Sequence, residues 1–358
     1  MKIGILTFHR AKNYGAMLQC YALLSFLQSL KYDVFVLDYK PDYLAGARDN
    51  GFLWSLKKYI RFIMYRILSK GEVKKADAFN SFVDQHLKLL PISESQNLDA
   101  IVCGSDQIWS TKICGNLDQI YFGKLSDGKA IKRISYAASN GNVQLTPQQQ
   151  MEFKKLLQEM NAISVRESTL QDYLNKLGLN SKLVLDPVLL AGKKHFEAIL
   201  CPIKQKKPYV LIYELTHLES TYKLANKIAK VLDADILVMG GEMKRYFQKG
   251  IINKGGLTPA QFVSYFKEAV CVVTTSFHGT AFSIVYERPF YSMYMNSDKD
   301  DRILSLLSEL NLMERSVRNV DDISFTPIDY HKVNPRLESL RIESKNVLIN
   351  ALNCKNGY

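Results

Sequence analysis

The chain has 358 residues, which is more than a single hydrophobic core usually serves, so two domains are expected. Hydrophobic residues make up 47% and charged residues 23%, a composition that is ordinary for a globular protein and excludes an intrinsically disordered chain. The formal net charge of +12 favours anionic partners, which include phosphorylated substrates, nucleic acid and membrane surfaces.

Further classes of protein are disfavoured by what the sequence lacks. No apolar run approaches the roughly 18 residues that a transmembrane helix needs, and the apolar stretch before His9 is too short for a signal peptide. The six cysteines form no CxxC pair, and Cys103 and Cys271 lie in apolar runs, so we expect reduced cysteines in a cytoplasmic protein. Because no nucleic-acid motif and no metal-ligand spacing appears, we expect no nucleic-acid partner, no required metal and no cofactor.

The first half of the chain alternates short apolar runs with amphipathic stretches. A strand is predicted at Ile3–Thr7, a helix at residues 16–30 with apolar side chains at helical spacing, and a second strand at Val34–Leu37. Such a βαβ unit builds a parallel sheet with a right-handed crossover. Further strands are predicted at Ala100–Cys103, Ile134–Ala138, Ile163–Val165 and Leu183–Leu185.

The second half repeats this alternation. Strands are predicted at Tyr209–Tyr213, Ile236–Met239, Val270–Thr274 and Phe290–Met295, separated by helices near 219–232, 259–269, 279–287 and 301–310. Thr258 followed by Pro259 is typical of a helix start. The polar, proline-flanked stretch CPIKQKKP at 201–208 predicts a domain boundary. We therefore expect an α/β protein with two Rossmann-like parallel-sheet domains, residues 1–203 and 204–358, that face a cleft.

Functional side chains of such domains are expected where strands end, in the cleft. The segments that follow predicted strands are FHRAKNYGA, GSDQIW, SNG, Arg166-Glu167 and SFHG. Turn chemistry alone explains most of these residues equally well. Arg166 and His278 are different, because neither residue type is a natural turn former.

His278 lies in TTSFHGTAFSIVYERPF, at a turn from a strand to a helix. Gly279 and Thr280 are predicted to open a helix whose free N–H groups bind an anion, with Ser276 adding a hydroxyl. His278 would exchange protons beside that anion, and Arg166 would present a planar fork to a carboxylate or phosphate. The alternative is a histidine that only braces the turn.

Six segments occur in the order NYGAMLQCYAL, GSDQIW, YAASNG, SVRES, VLDPVLL and TSFHGTAFSIVYERPF. Together they resemble the polysaccharide pyruvyl transferase family over about residues 3 to 310. The resemblance implies a transferase with a two-domain fold like that of GT-B glycosyltransferases. It also implies phosphoenolpyruvate as the donor and a sugar hydroxyl as the acceptor. The product would be a pyruvate ketal on a capsular or exopolysaccharide sugar, a glycolipid or a lipid-linked repeat unit.

The resemblance assigns the donor site to particular residues. Members of the family hold and activate the donor with an Arg that maps to Arg166 and with the His of an Arg-Leu-His motif, which maps to His278. This chain has Ser276 in place of that motif's Arg, so another cation has to compensate, and Arg302 is the candidate. An Arg in the first turn of a helix opposes the helix dipole and calls for an explanation. The alternative for Arg302 is a local ion pair with Asp298 or Asp301.

The remaining site residues follow from the same interpretation. His278 is expected to protonate the enol methylene or to assist the departure of phosphate, and Asp106 to act as the base for the acceptor hydroxyl. An Asx turn or helix cap explains Asp106 equally well. The donor is expected on the side of the second domain, through Ser276, Gly279 and Arg302 together with Arg166 of the first domain. The acceptor is expected on the side of the first domain, through Asn13, Tyr14, Gly15 and Ser105. Two alternatives stay open: a GT-B glycosyltransferase that uses a nucleotide sugar, and a non-catalytic glycan-binding protein of the same fold.

Residues 52–70, FLWSLKKYIRFIMYRILSK, combine apolar side chains at helical spacing with several basic ones. Basic amphipathic helices that carry Trp and Phe often lie on anionic membrane surfaces, where a lipid-linked acceptor would be found. The segment therefore predicts peripheral contact with the inner face of a membrane. The alternative is a core helix whose basic face is solvated.

Overall fold

The structure, a computed structural model, describes residues 1–44, 75–125, 131–240, 250–294, 300–318, 320, 323 and 326–354. Two large parallel β-sheets organise these residues, and buried apolar clusters lie against their faces. The predicted α/β fold with two Rossmann-like parallel sheets is thereby confirmed. The membrane-binding helix predicted at 52–70 lies outside the described residues and stays a prediction.

The first sheet has five strands in the order β3-β2-β1-β4-β5. Their bounds are β1 Lys2–Leu6, β2 Asp33–Leu37, β3 Leu89–Leu90, β4 Ala100–Cys103 and β5 Lys132–Ser135. A parallel pair, β6 (Ser164–Val165) and β7 (Lys182–Leu183), continues this sheet through bridges to Ile134 and Ala138. The strand predicted at Ile134–Ala138 therefore begins two residues earlier and ends three residues earlier, and Ala138 pairs through isolated bridges.

The second sheet has six strands in the order β10-β9-β8-β11-β12-β13. Their bounds are β8 Tyr209–Glu214, β9 Asp235–Gly240, β10 Ile251–Asn253, β11 Cys271–Thr274, β12 Phe290–Met293 and β13 Ser316–Val317. The three central strands are buried on both faces, as expected for a parallel sheet covered by helices.

Helices connect these strands. They are α1 (Tyr14–Ser29), α2 (75–86), α3 (Thr111–Cys114), α4 (Pro147–Gln158), α5 (Ser168–Lys176), α6 (Pro187–Phe196), α7 (Glu219–Leu232), α8 (Pro259–Glu268), α9 (Phe277–Val285), α10 (Asp301–Glu309) and α11 (Tyr330–Asn353). Short 3-10 turns lie at Asp42–Leu44, Ile92–Asn97, Gln119–Phe122, Glu197–Ile199 and Met313–Arg315. The start predicted at Thr258-Pro259 is confirmed by a capping box between Thr258 and Gln261. None of the described helices combines the length and apolarity needed to cross a membrane.

One apolar core joins the two sheets. It contains Ile3 and Leu23 on the first-sheet side and Val272 and Phe282 on the second-sheet side. Helix α6 lies between α1 and α9 in this core. The carboxyl ends of the two sheets are thereby held close to each other.

Helix α11 follows the second sheet in the sequence and reaches both sheets. Near its start, the Tyr330 hydroxyl donates to the carbonyl of Arg288 at 2.8 Å. Near its end, the Ser344 Oγ accepts from the Leu185 N–H at 2.9 Å, and Lys132 Nζ donates to the Leu352 carbonyl at 2.8 Å. The division predicted between residues 203 and 204 stays a prediction.

Candidate active site

Both sheets reverse their strand order at a central strand pair. In the first sheet the reversal lies between β1 and β4, and in the second sheet between β8 and β11. Ligands of open parallel sheets bind outside the carboxyl ends of the strands at such points. Most of the predicted site residues follow β1, β4 and β11, so the topology places them at the two reversals.

Asp186 lies at the centre of the polar residues that meet there, and the sequence analysis did not single it out. It is the N-cap of α6, and its Oδ1 accepts from the Val188 N–H at 2.9 Å. Its Oδ2 accepts from Arg166 Nη1 at 2.9 Å and from Ser105 Oγ at 3.1 Å. We call Ser105, Asp106, Arg166, Glu167, Asp186 and His278 the Asp186 cluster.

Arg166 is held by carboxylates on every side of its guanidinium. Besides Asp186, Glu167 Oε1 accepts from Nε at 2.9 Å, and Asp106 Oδ1 accepts from Nη2 at 3.4 Å. Only 1% of the Arg166 side chain is exposed. Burial acts to lower the pKa of Arg166, but the three carboxylates outweigh it and raise that pKa. A ligand carboxylate or phosphate would therefore share this fork with groups that already occupy it.

His278 lies at the second position of α9 and faces Asp186 from the other sheet. Its Nε2 is 3.7 Å from Asp186 Oδ2, which is an ion-pair distance but too long for a hydrogen bond. Among the described residues, this buried nitrogen has no hydrogen-bond partner. Burial alone would raise the pKa of Asp186, but His278, Arg166 and the Val188 N–H hold it well below its ordinary value.

Gly15, predicted to contact the acceptor, lies directly against the His278 ring. A Cβ added at Gly15 would fall 2.1 Å from His278 Nδ1 and 2.5 Å from Cγ. Real Cβ atoms do not approach other atoms so closely, so only glycine lets α1 and α9 come this near. Gly15 therefore makes room for the imidazole.

The start of α9 differs from the prediction. Gly279 and Thr280 were expected to open this helix, but it begins at Phe277, and Ser276 is its N-cap. The Ser276 Oγ accepts from the Gly279 N–H at 3.5 Å, so a serine side chain starts the helix earlier than the glycine would. A Cβ at Gly279 would fall 2.2 Å from Thr274 Oγ1, so this glycine permits close packing of α9 on β11.

Phe277 connects two guanidinium groups of the site. The Cζ of Arg166 is 4.9 Å from the centre of the Phe277 ring, and the Cζ of Arg302 is 6.0 Å from it. Burial, followed by the charge of Arg166, lowers the pKa of Arg302, although the guanidinium stays protonated at neutral pH. Within the described residues, no carboxylate forms an ion pair with Arg302. The alternative partner Asp298 lies outside those residues.

Four further residues were predicted to contribute to the site, and the structure places two of them in the Asp186 cluster and two elsewhere. Ser105 and Asp106 both belong to the Asp186 cluster. The Asn13 Oδ1 accepts from the Ala16 N–H at 3.1 Å and caps α1. Tyr14 stacks on Phe262 with ring centres 4.5 Å apart and is buried in the core between the sheets. Gly15 is the one of the predicted acceptor residues Asn13, Tyr14 and Gly15 for which the structure gives close packing against the imidazole.

A second group of charged residues lies at the ends of β1 and β2. Asp38 accepts from His9 Nε2 at 3.0 Å and from Arg10 at 2.9 Å through both carboxylate oxygens. The other ring nitrogen of His9 is 3.2 Å from the Thr7 carbonyl. Lys40 Nζ is 2.9 Å from Asp38 Oδ2. We call His9, Arg10, Asp38 and Lys40 the Asp38 cluster.

Asp186, which the sequence analysis missed, has one local signal in the sequence. Asp186 precedes Pro187, and an Asp before a Pro is a typical cap and first position of a helix. That signal predicts a helix start and not a site residue, because Asp186 meets Arg166 and His278 only through the fold. No group of three His, Cys, Asp or Glu in the described part of the chain is arranged to hold a metal ion.

Comparison with protein families matches residues 13–297 to the family described as polysaccharide pyruvyl transferase. A search of curated proteins gives no match. Among solved structures, the chain is similar to UDP-N-acetylglucosamine 2-epimerase from Rickettsia bellii, with 12% identity, a TM-score of 0.46 and coverage of 99% of this chain and 97% of that chain. It is also similar to ADP-heptose lps heptosyltransferase II from E. coli, with 13% identity, a TM-score of 0.42 and coverage of 96% and 100%. These distant similarities lead to no conclusion about activity.

Proposed function

The chain belongs to the polysaccharide pyruvyl transferase family, and from this premise we propose that it transfers the enolpyruvyl group of phosphoenolpyruvate to a sugar. The acceptor that we propose is a sugar of a surface polysaccharide or of a lipid-linked repeat unit, which becomes a pyruvate ketal. Membership of the family makes the protein a transferase. The donor, the acceptor and the residue roles are our proposal.

The observation that carries this proposal is the position of Arg302. Its guanidinium packs near the ring of Phe277, the residue that precedes His278 in the sequence. None of the described carboxylates forms an ion pair with it. Arg166 is already occupied by three carboxylates, so of these two arginines Arg302 is the one available to a phosphate. Because Ser276 replaces the Arg of the family motif, Arg302 is the residue we propose as its substitute.

The start of α9 adds a second group of donors. Among the described residues, no acceptor is seen for the backbone N–H groups of Phe277 and His278, which lie in the first turn. Free N–H groups at a helix start bind anions, and the helix dipole favours negative charge there. Together with Arg302 they would bind the phosphate beside the imidazole.

The reaction we propose is an addition followed by an elimination. His278 gives a proton to the methylene carbon of the enol, and a new C–H bond makes the neighbouring carbon electrophilic. One sugar hydroxyl adds to that carbon and loses its proton to Asp106. The C–O bond to phosphate then breaks and phosphate leaves with that oxygen. A second hydroxyl adds to the same carbon and gives its proton to the released phosphate, which closes the ketal.

Asp106 is suited to accept a proton on one of its two oxygens. Both of its described hydrogen bonds, from Gln107 N at 2.9 Å and Arg166 Nη2 at 3.4 Å, end on Oδ1. The side chain is 14% exposed, whereas that of Asp186 is 0% exposed. A hydroxyl in the cleft can therefore approach Asp106 Oδ2 more readily than Asp186.

Isothermal calorimetry tests the donor. We expect phosphoenolpyruvate to bind, and Arg302→Ala to weaken its binding by about 1.5–3 kcal/mol, the scale of a lost charged hydrogen bond. The matched control is Arg336→Ala, which removes a guanidinium that pairs with Glu309 on the surface. That variant should bind phosphoenolpyruvate as the unchanged protein does.

UDP- and GDP-sugars are titrated in parallel with phosphoenolpyruvate. Binding of a nucleotide sugar without binding of phosphoenolpyruvate would overturn the proposed donor in favour of a nucleotide-sugar glycosyltransferase. Unchanged affinity of Arg302→Ala for phosphoenolpyruvate would remove Arg302 from the donor site. In that case Arg166 and the start of α9 would be the whole site.

A further inference from the structure

The His278 ring offers only one of its nitrogens to a ligand. Nε2 is fully buried and lacks a hydrogen-bond partner among the described residues. The His278 side chain is 8% exposed, and Nε2 does not contribute to this exposed area. A proton that passes between His278 and a bound molecule must therefore use Nδ1.

Gly15 leaves room for that nitrogen. Any other residue would place a Cβ 2.1 Å from Nδ1 and would cover it. Because the glycine has no side chain, α1 contributes a close backbone surface and no charge at this point. The imidazole thus lies between a glycine on one side and Asp186 on the other.

Asp186 is fixed more firmly than the ring it faces. Three donors, Arg166 Nη1, Ser105 Oγ and the Val188 N–H, hold its carboxylate at distances of 2.9, 3.1 and 2.9 Å. The 3.7 Å distance to Nε2 exceeds a typical N–H···O hydrogen bond by about 0.7 Å. A carboxylate with three anchors does not turn away, so the imidazole is the group that closes this gap.

The other charged groups of the site have different contacts. Asp106 and Glu167 pair with Arg166, and Arg302 packs near Phe277. Among the described carboxylates, Asp186 is the one within ion-pair distance of the imidazole. The negative charge of Asp186 therefore determines which nitrogen of the His278 ring holds a proton.

We propose that Asp186 is a positioning residue that accepts a hydrogen bond from Nε2–H of His278 and reserves Nδ1 for the reaction. In the reaction proposed above, on which this role rests, the imidazolium donates its Nδ1 proton to the methylene carbon. The N–H bond breaks as the C–H bond forms, and the neutral Nε2–H tautomer remains, hydrogen-bonded to Asp186. Nδ1 then regains a proton from solvent.

The tautomer can be measured without any substrate. The protein has six histidines, so 15N-labelled histidine gives a spectrum in which His278→Asn identifies the His278 signals. At a pH where the ring is neutral, we expect the nitrogen shifts of His278 to show the proton on Nε2 and a lone pair on Nδ1. A neutral ring with its proton on Nδ1 would overturn the proposal.

Asp186→Asn tests the cause. Asparagine caps helices as well as aspartate does, so α6 should still form, but the negative charge is lost. We expect the His278 signals to change toward a mixture of tautomers. Asp38→Asn is the control, because it removes the same charge beside His9, and it should leave the His278 signals unchanged. An unchanged tautomer in Asp186→Asn, or an equal change in Asp38→Asn, would overturn the proposal.

The two proposals fail separately. If phosphoenolpyruvate does not bind, the proposed donor is lost and the tautomer measurement still stands. If the tautomer is wrong, Asp186 loses its role while the donor and acceptor are unaffected. If Asp186→Asn does not fold, the measurement on the unchanged protein decides alone.

Discussion

The Asp38 cluster and the Asp186 cluster contain the same kinds of residue, but their hydrogen bonds are complete only in the Asp38 cluster. In each, a carboxylate that follows the carboxyl end of a strand lies near a histidine and an arginine. In the Asp38 cluster both nitrogens of His9 have a hydrogen-bond partner, and Arg10 binds Asp38 through two nitrogens. In the Asp186 cluster, His278 Nε2 is 3.7 Å from its carboxylate, and Arg166 is divided among three carboxylates.

The difference gives a criterion for telling a structural histidine from a candidate for a reactive one. A buried polar atom without a partner costs free energy, so each such atom calls for an explanation. His9 meets every requirement of a structural residue. His278 does not, because its Nε2 has no hydrogen-bond partner among the described residues.

Exchanging each histidine for asparagine should break this comparison most clearly. We expect His278→Asn to fold and to lose about 100-fold or more of its activity, the usual scale for a lost general acid or base. We expect His9→Asn to keep the turnover of its folded fraction but to lose about 1–3 kcal/mol of stability, since two hydrogen bonds go. Turnover with an acceptor sugar and urea unfolding measure the two effects. Near-normal turnover of His278→Asn would make His278 structural after all.

The carboxylates can be compared by acid unfolding. The pKa of Asp186 in the folded protein lies below its unfolded value of about 3.9, so its charge stabilises the fold above roughly pH 5. That stabilisation is lost as the pH falls through 3.9 toward the folded value. We expect Asp186→Asn to lose about 2 kcal/mol at pH 7, and its stability to fall less steeply in acid. A curve parallel to that of the unchanged protein would show that Asp186 carries no such charge effect.

Asp38 is the control for that measurement. Hydrogen bonding from His9, opposed by burial and supported by Arg10 and Lys40, also lowers the pKa of Asp38. Its side chain is 18% exposed, against 0% for Asp186, so water screens its interactions more. We therefore expect Asp38→Asn to flatten the acid limb less than Asp186→Asn does.

The smallest expected effect on turnover comes from a substitution at Gly15, beside the His278 ring. Gly15→Ala would push a carbon into the His278 ring, and a displaced imidazole should lower turnover by about tenfold. Gly4→Ala is matched to it, because its Cβ would fall 2.6 Å from Leu98 Cδ1, the end of a flexible side chain outside the Asp186 cluster. We expect both to lose stability, but only Gly15→Ala to lose turnover per folded molecule. Equal turnover in the two variants would show that the ring tolerates the contact.

Local sequence signals predicted the strands and several helices well. Apolar runs such as Ala100–Cys103 and Tyr209–Tyr213 became central strands, because a strand buried on both faces must be apolar along its length. Thr258-Pro259 predicted α8 at its true start. The same signal, Thr146-Pro147 with Gln149, caps α4, which the apolar pattern alone did not predict.

The site was predicted only in part, because its decisive contacts join distant segments. Arg166 and His278 were found from their unusual positions at strand ends. Asp186 was not, since its contacts with Ser105 and His278 span separate elements of the fold. Gly15 was found for a different reason from the one the structure gives, because sequence alone does not show which ring will face a glycine. The roles of Asn13 and Tyr14 toward an acceptor stay predictions.

Helix α11 sets a condition on any opening of the cleft. Its 24 residues amount to about 36 Å of rigid rod, attached near the start to the Arg288 carbonyl and farther along to Leu185 and Lys132. Pro335 lies inside the helix, between these two sets of attachments. A proline there removes one helical hydrogen bond and makes bending easiest at that turn. If the two sheets move apart, α11 must therefore bend near Pro335 or release one of these attachments.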